Sequence, residues 1–169
     1  MRDFLQQNTP QLVFTCGFAG GLNPELKTGD VILLTVDPAL DRALVGFGAR
    51  PAKFWCASRI ATTVAEKKKL RAETGADAVE MESEVIHAIC RERGIPCATV
   101  RVISDTANED LPLDFNKLSN PDLSPDYAKL AWAIAKSPGK IPALLRLQKN
   151  CRFAARRLAA VLAEVISPD

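Results

Sequence analysis

Ala78-Val79-Glu80-Met81-Glu82-Ser83 opens a stretch that closes on Val100-Arg101-Val102-Ile103-Ser104-Asp105, and what lies between them decides the fold. Met81, Val85 and Ile89 recur at helical spacing with Ala88 beside them, so a helix is expected after Glu82. Gly94 stops it and Pro96 keeps it from resuming. From Cys97 to Ile103 the chain is apolar and β-branched, the composition of a strand buried on both faces. Asp105 then falls just past that strand's C-terminal end, where ligands gather in open α/β sheets. Glu82 lies near the helix N-terminus, where the dipole favours the ionised carboxylate. For Asp105, burial offers a way to keep a carboxyl protonated. One stretch thus supplies a helix, a buried strand and two acids of different character.

Working outward, Leu12 to Cys16 reads as a short buried strand running into a glycine loop, Gly17 to Gly21. The loop lacks the GxGxxG spacing that opens a dinucleotide-binding helix. With turns at Asn23-Pro24 and Lys27-Thr28-Gly29-Asp30, it joins two strands, the second being Val31 to Val36. Such glycines serve either a tight turn or a close approach of backbone N–H groups to a ligand. Asp37 to Phe54 is weakly patterned and reads as loop or short strands over the site. Trp55 to Ala61 reads as a further strand. Thr63 caps a charged helix, Ala65 to Thr74, with Glu66 completing a capping box, and Gly75 ends it. The run Lys67-Lys68-Lys69 reads as that helix's solvated face.

Leu111 to Pro125, rich in Pro, Asn and Asp, reads as irregular. A helix is expected over Tyr127 to Lys136, broken by Ser137-Pro138-Gly139. A long final helix then starts with Pro142 at its first position. Its apolar stripe is Leu147, Cys151, Ala154, Leu158, Val161 and Val165, with Arg146, Lys149, Arg152, Arg156 and Arg157 largely outside it.

Composition bounds the function. The 169 residues favour a single domain over residues 1–169, and 47% hydrophobic content provides a packed core. A net charge of +2 with mixed signs gives no case for nucleic acid. No apolar run spans a bilayer. Five cysteines without a CxxC pair indicate neither a metal site nor a disulfide framework, which fits reduced thiols in the cytoplasm.

Glu80-Met81-Glu82 before a helix and Ser104-Asp105 after the next strand, with Cys16-Gly17-Phe18-Ala19-Gly20-Gly21-Leu22 and Lys27-Thr28-Gly29-Asp30-Val31 upstream, make the chain resemble a known family. It is that of the purine nucleoside phosphorylases and the methylthioadenosine/adenosylhomocysteine nucleosidases. The resemblance implies a three-layer α/β fold with a mixed central sheet and helices on both faces. It also implies cleavage of the N-glycosidic bond of a purine nucleoside without metal or organic cofactor, in a homo-oligomer such as a dimer. By resemblance Asp105 is the acid at purine N7, and Ser104 orients it. Glu82, flanked by Glu80, holds the ribose hydroxyls, and Met81 packs on the ribose. Gly17, Phe18, Ala19 and Gly20 line sugar and base.

Phosphorylases of this family carry an arginine and a serine at positions occupied here by Thr15 and Phe18, which favours water over phosphate as nucleophile. A phosphorylase of the same family is the first alternative, and a non-catalytic nucleoside-binding or structural relic is the second. The family's N-terminal strand and helix, with the glutamate that positions water, have no counterpart from Met1 to Gln11, so an N-terminally short version is expected, with an open sheet edge. A shorter branch of the family, tied to hopanoid lipid biosynthesis, is also similar. On the residues alone, Glu80, Glu82 and Glu84 equally fit ordinary solvent-facing acids, and Asp105 a turn cap. His87 reads as a surface or packing residue, and Arg101 as the structural partner of a carboxylate.

Overall fold

A computed structural model describes residues 2–118, 120 and 126–166. The apolar run at its centre forms β6 (Cys97–Asp105), buried along its whole length. Burial on both faces requires cover on both, and the alternation of side chains divides the work. Val100 and Val102 meet Val31 and Leu33 of β2 (Val31–Thr35), Leu44 of α2 (Pro38–Gly46), and Ala154 and Val161 of α6 (Ile141–Ile166). On the opposite face, Cys97 packs with Leu5 of α1 (Arg2–Gln7) and with Ile89 and Cys90 of α4 (Ser83–Glu92). Leu44 is fully buried, a contribution of about 1.5–3 kcal/mol for a side chain of its size.

The sheet has six strands in the order β3-β2-β6-β1-β5-β4. Here β1 is Val13–Gly21, β3 Arg50–Pro51, β4 Phe54–Cys56 and β5 Ala78–Glu80. β6 runs parallel to β1 and antiparallel to β2, so the sheet is mixed, as expected. Among the described residues, β1 is paired only by β6 beyond Gly20 and Gly21, which pair with β5. Near the parallel strands' common C-terminal end the register shifts: Ala19 faces Ile103 but Gly20 faces Asp105. Ser104 is therefore the extra residue of a β-bulge.

α3 (Val64–Thr74) begins with the capping box foreseen at Thr63 and Glu66 and ends at Gly75, whose φ of 64° suits glycine. α5 is Tyr127–Lys136, as expected. α6 presents the expected stripe inward and its basic residues outward, with Pro142 second rather than first in the helix. Between β6 and α5 the described residues include a 3-10 turn, Phe115–Leu118; part of the stretch read as irregular, residues 119 and 121–125, lies outside the described residues.

Several expectations are corrected. The glycines are not a loop but the second half of β1, because β6 runs alongside them and supplies ladder partners that offset glycine's poor strand propensity. Of the stretch after Asp37, read as loop or short strands over the site, one short strand is found, β3, but most of it is helix: Asp37 accepts hydrogen bonds from Ala39 and Leu40 N–H and starts α2, which packs beside α6 against the sheet and lends no residue to the cavity. The strand expected from Trp55 to Ala61 shrinks to β4. Met81 precedes α4, and Val85 and Ala88 are exposed; Ile89 is buried as expected, and Cys90 rather than Val85 joins it, which shifts the apolar stripe around the axis. Lys67 is not on a solvated face but wholly buried, because that side of α3 meets the end of β6.

Candidate functional site

The end of the parallel pair β1/β6 opens into a cavity of about 440 Å³. β1 lends Gly17, Phe18, Ala19 and Gly20, and the β5–α4 junction lends Glu80, Met81 and Glu82. β6 lends Arg101, Ser104 and Asp105. All nine residues expected at a site thus converge on one cavity, although they come from three separate parts of the chain. Its apolar wall is formed by Val79, Leu111, Phe115, Leu147 and Cys151, and Arg59 stands at the side. Of these, α6 supplies Leu147 and Cys151, the part of its stripe that extends past the core.

The bulge decides how the acid is presented. Neighbours along a regular strand point to opposite faces. Here Ser104 and Asp105 both face the cavity, and Ser104 Oγ donates to Asp105 Oδ1 at 2.7 Å. The other carboxylate oxygen, Oδ2, accepts from Lys67 Nζ at 2.6 Å. Lys67 was absent from the sequence-based set. A lysine run carries no signal for which member turns inward; the signal lay in the helix period combined with the sheet's position, which only the tertiary fold supplies.

A second network lies across the cavity. Arg101 Nη2 donates toward Thr15 Oγ1 (2.8 Å), Glu80 Oε2 (2.8 Å) and Glu82 Oε2 (3.1 Å). The expected pairing of Arg101 with a carboxylate is found, and the residue also forms part of the cavity wall. Its Nε is buried without a hydrogen-bond partner among the described residues. Glu80 is not solvent-facing: it is buried and also accepts from the N–H groups of Glu82 and Ser83 and from Ser83 Oγ. Burial pushes its carboxyl up, but the Ser83 and Glu82 hydrogen bonds and the Arg101 charge outweigh it, leaving Glu80 below the ordinary range.

Glu82 differs. Its side chain is 67% exposed, and an Nη2 group with two hydrogens has three acceptors to serve. The longest of the three contacts, to Glu82, is the one most readily surrendered to a ligand. Thr15 is buried with its hydroxyl committed to Arg101, and Phe18 is half exposed at the rim. His87, on α4, turns toward β6, with Nε2 2.7 Å from Thr99 Oγ1, and is not part of the cavity lining.

Among the described residues, no cluster of metal-ligating side chains occurs, and no helix is long and apolar enough to cross a membrane. All five cysteines are free; Cys16 is exposed rather than buried.

A family model described as Phosphorylase superfamily matches residues 35–136, more than half of the chain. The matched segment contains Glu82 and Asp105. A 5'-methylthioadenosine/S-adenosylhomocysteine nucleosidase of Glaesserella parasuis is 29% identical over an alignment covering 67% of this chain and 64% of the relative. An aminodeoxyfutalosine nucleosidase of Campylobacter jejuni is 28% identical, over 63% of this chain and 60% of the relative. The chain thus spans somewhat under two thirds of the length of these relatives. Among solved structures, a nucleosidase of the first kind from Neisseria meningitidis, in complex with methylthio-immucillin-A, superposes with a TM-score of 0.67. It covers 98% of this chain and 73% of that one at 18% identity. At that identity the likeness speaks for the fold alone.

Proposed function

This chain belongs to the phosphorylase superfamily, and from that premise we propose that it cleaves the N-glycosidic bond of a purine nucleoside, with water as the nucleophile. The observation that carries the reading is the opposition, across one cavity, of the doubly held carboxyl of Asp105 and the loosely held, exposed carboxylate of Glu82. A purine departs easily only if it does not leave as an anion, so an acid must meet its N7. The sugar left behind gains positive character, so negative charge and fixed hydroxyls beside it lower the barrier.

In this reading Asp105 delivers the proton and Ser104 orients it. Glu82 takes the ribose hydroxyls, exchanging its long contact to Arg101 for them, while Glu80 fixes Arg101. Met81 packs on the ribose, and Gly17 to Gly20 with Phe18 receive sugar and base. Water is favoured over phosphate because both arginines of the lining already serve carboxylates: Arg101 serves Glu80 and Glu82, and Arg59 serves Glu66. Neither is left to neutralise a phosphate. The relatives named for methylthioadenosine and aminodeoxyfutalosine cleavage suggest an adenine-type base with a variable 5′ substituent. A cytoplasmic homodimer is part of the same proposal, supported by the free thiols and by the one-sided pairing of β1.

The test is product analysis. Methylthioadenosine and adenosine are incubated with the protein in phosphate and in phosphate-free buffer. Free base with free sugar in both is expected. A ribose 1-phosphate product would transfer the assignment to a phosphorylase, and absence of both base release and nucleoside binding would leave the chain a structural member of its family. Light scattering on the same sample tests the dimer.

A further inference from the structure

We propose that Lys67 is the positioning residue of the acid: it holds the Asp105 carboxyl for proton delivery and meets the charge left on it when the proton departs. This rests on the nucleosidase reading of the cavity. Lys67 is completely buried, and its ammonium spends its three hydrogens on three acceptors: Asp105 Oδ2 at 2.6 Å, Thr106 O at 2.7 Å and Glu109 O at 2.9 Å. It stands one residue after the capping box, in the first turns of α3. A cation is poorly placed there: the helix dipole disfavours positive charge near an N-terminus, and burial strips the ammonium of water. A buried lysine in the wrong end of a helix breaks two local rules at once, and such violations concentrate at functional sites.

The geometry indicates what the violation accomplishes. Ser104 holds Oδ1 and Lys67 holds Oδ2, so the carboxyl group is gripped at both oxygens and cannot turn about its Cβ–Cγ bond without losing one of them. The other two ammonium contacts tie down the turn after β6, which leads to Leu111 of the cavity wall; Leu111 N–H in turn donates to Thr62 O at 2.8 Å, just ahead of α3. One ammonium therefore links the acid, the turn beyond it and the helix.

During cleavage the C1′–N9 bond breaks with its electron pair moving to the purine. The Asp105 O–H bond breaks and an N7–H bond forms. Water adds its oxygen to C1′ and releases a proton to solvent. The carboxylate so created lies against the Lys67 ammonium, with no reorganisation needed at the moment of transfer, and takes a proton back from solvent before the next turnover.

The discriminating probe is the leaving group. p-Nitrophenyl β-D-riboside expels a phenolate that needs no proton, whereas methylthioadenosine expels a base that does. Lys67→Met, Asp105→Asn and the double variant are compared on both substrates, with Lys67→Arg as the conservative control. K67M is expected to lose about 10²-fold on methylthioadenosine, the scale of lost acid assistance, and to keep its rate on the phenyl riboside. The double variant is expected to be no slower than D105N, and K67R to recover part of the loss. Unchanged methylthioadenosine cleavage in K67M, or equal loss on both substrates with the protein folded, overturns the proposal. Should K67M fail to fold with Asp105 left unpaired, the double variant, where the pair is neutral, carries the same comparison. Should the wild-type chain cleave neither substrate, the nucleosidase reading falls and the proton-delivery role falls with it; thermal unfolding of the same variants then tests the pairing by itself, with additive shifts in Tm overturning it and non-additive shifts showing that Lys67 and Asp105 are coupled.

Discussion

Gly17 and Arg101 are register partners on the parallel strands β1 and β6, and Nη1 of the arginine occupies the space that a Cβ at position 17 would need, 2.5 Å away. The glycine is there because the guanidinium lies over its backbone. Gly17→Ala should therefore displace Arg101 from its contacts with Thr15, Glu80 and Glu82. A loss of about 1–3 kcal/mol, the cost of overpacking a close-packed site, is expected in denaturant unfolding, with weaker nucleoside binding. Stability and binding equal to wild type would show that the arginine has room to move.

The Arg101–Glu80 pair is buried on both sides, with side-chain exposures of 1% and 2%. Removing one member leaves an uncompensated charge, so Arg101→Met alone should cost about 3–5 kcal/mol, and Arg101→Met with Glu80→Gln distinctly less than the sum of the single changes. A chemical-denaturation cycle measures the coupling. Additive losses would mean that the two residues are held independently.

Asp105→Asn keeps the shape of the side chain and removes the proton that the proposed function assigns to it. Adenine release from methylthioadenosine, followed by absorbance, should fall by about 10²–10⁴-fold. Unchanged turnover would remove Asp105 from the mechanism.

Glu66 carries a pH signature. The Thr62 N–H hydrogen bond is the largest influence on it; with the Arg59 and Thr63 contacts it outweighs the opposing effect of burial, and the carboxyl is held at about 2 against an ordinary 4.5. The folded state thus binds this proton less readily than the unfolded chain. The stability Glu66 provides is fully present above about pH 4.5 and is lost as pH falls toward 2. Glu66→Gln should flatten that part of the acid-unfolding profile and lower stability at neutral pH. An acid limb identical to wild type would exclude the capping carboxylate as its source.

Much of this molecule was legible in the sequence for local reasons. The apolar run of β6, the capping box of α3, the glycine at its end and the stripe of α6 each act within a few residues of themselves. The acids of the cavity were legible because they flank such elements. What escaped depended on distant neighbours. Gly17 to Gly20 extend as a strand only because β6 lies alongside. Lys67 turns inward while Lys68 and Lys69 stay exposed only because one side of α3 abuts the end of that strand. α2 is a different case: Asp37 followed by Pro38 is a local start signal, but the glycines and arginines after it obscured the helix.

The extra residue at position 104 also limits what could be transplanted from this protein. A serine followed by an aspartate, written into a regular strand of another sheet, would have its two side chains on opposite faces. The hydroxyl could then no longer donate to the carboxyl, and only one of the pair could reach a ligand. The portable unit is therefore not the dipeptide. It is the dipeptide together with the one-residue change of frame against β1 that lets consecutive side chains work on the same side.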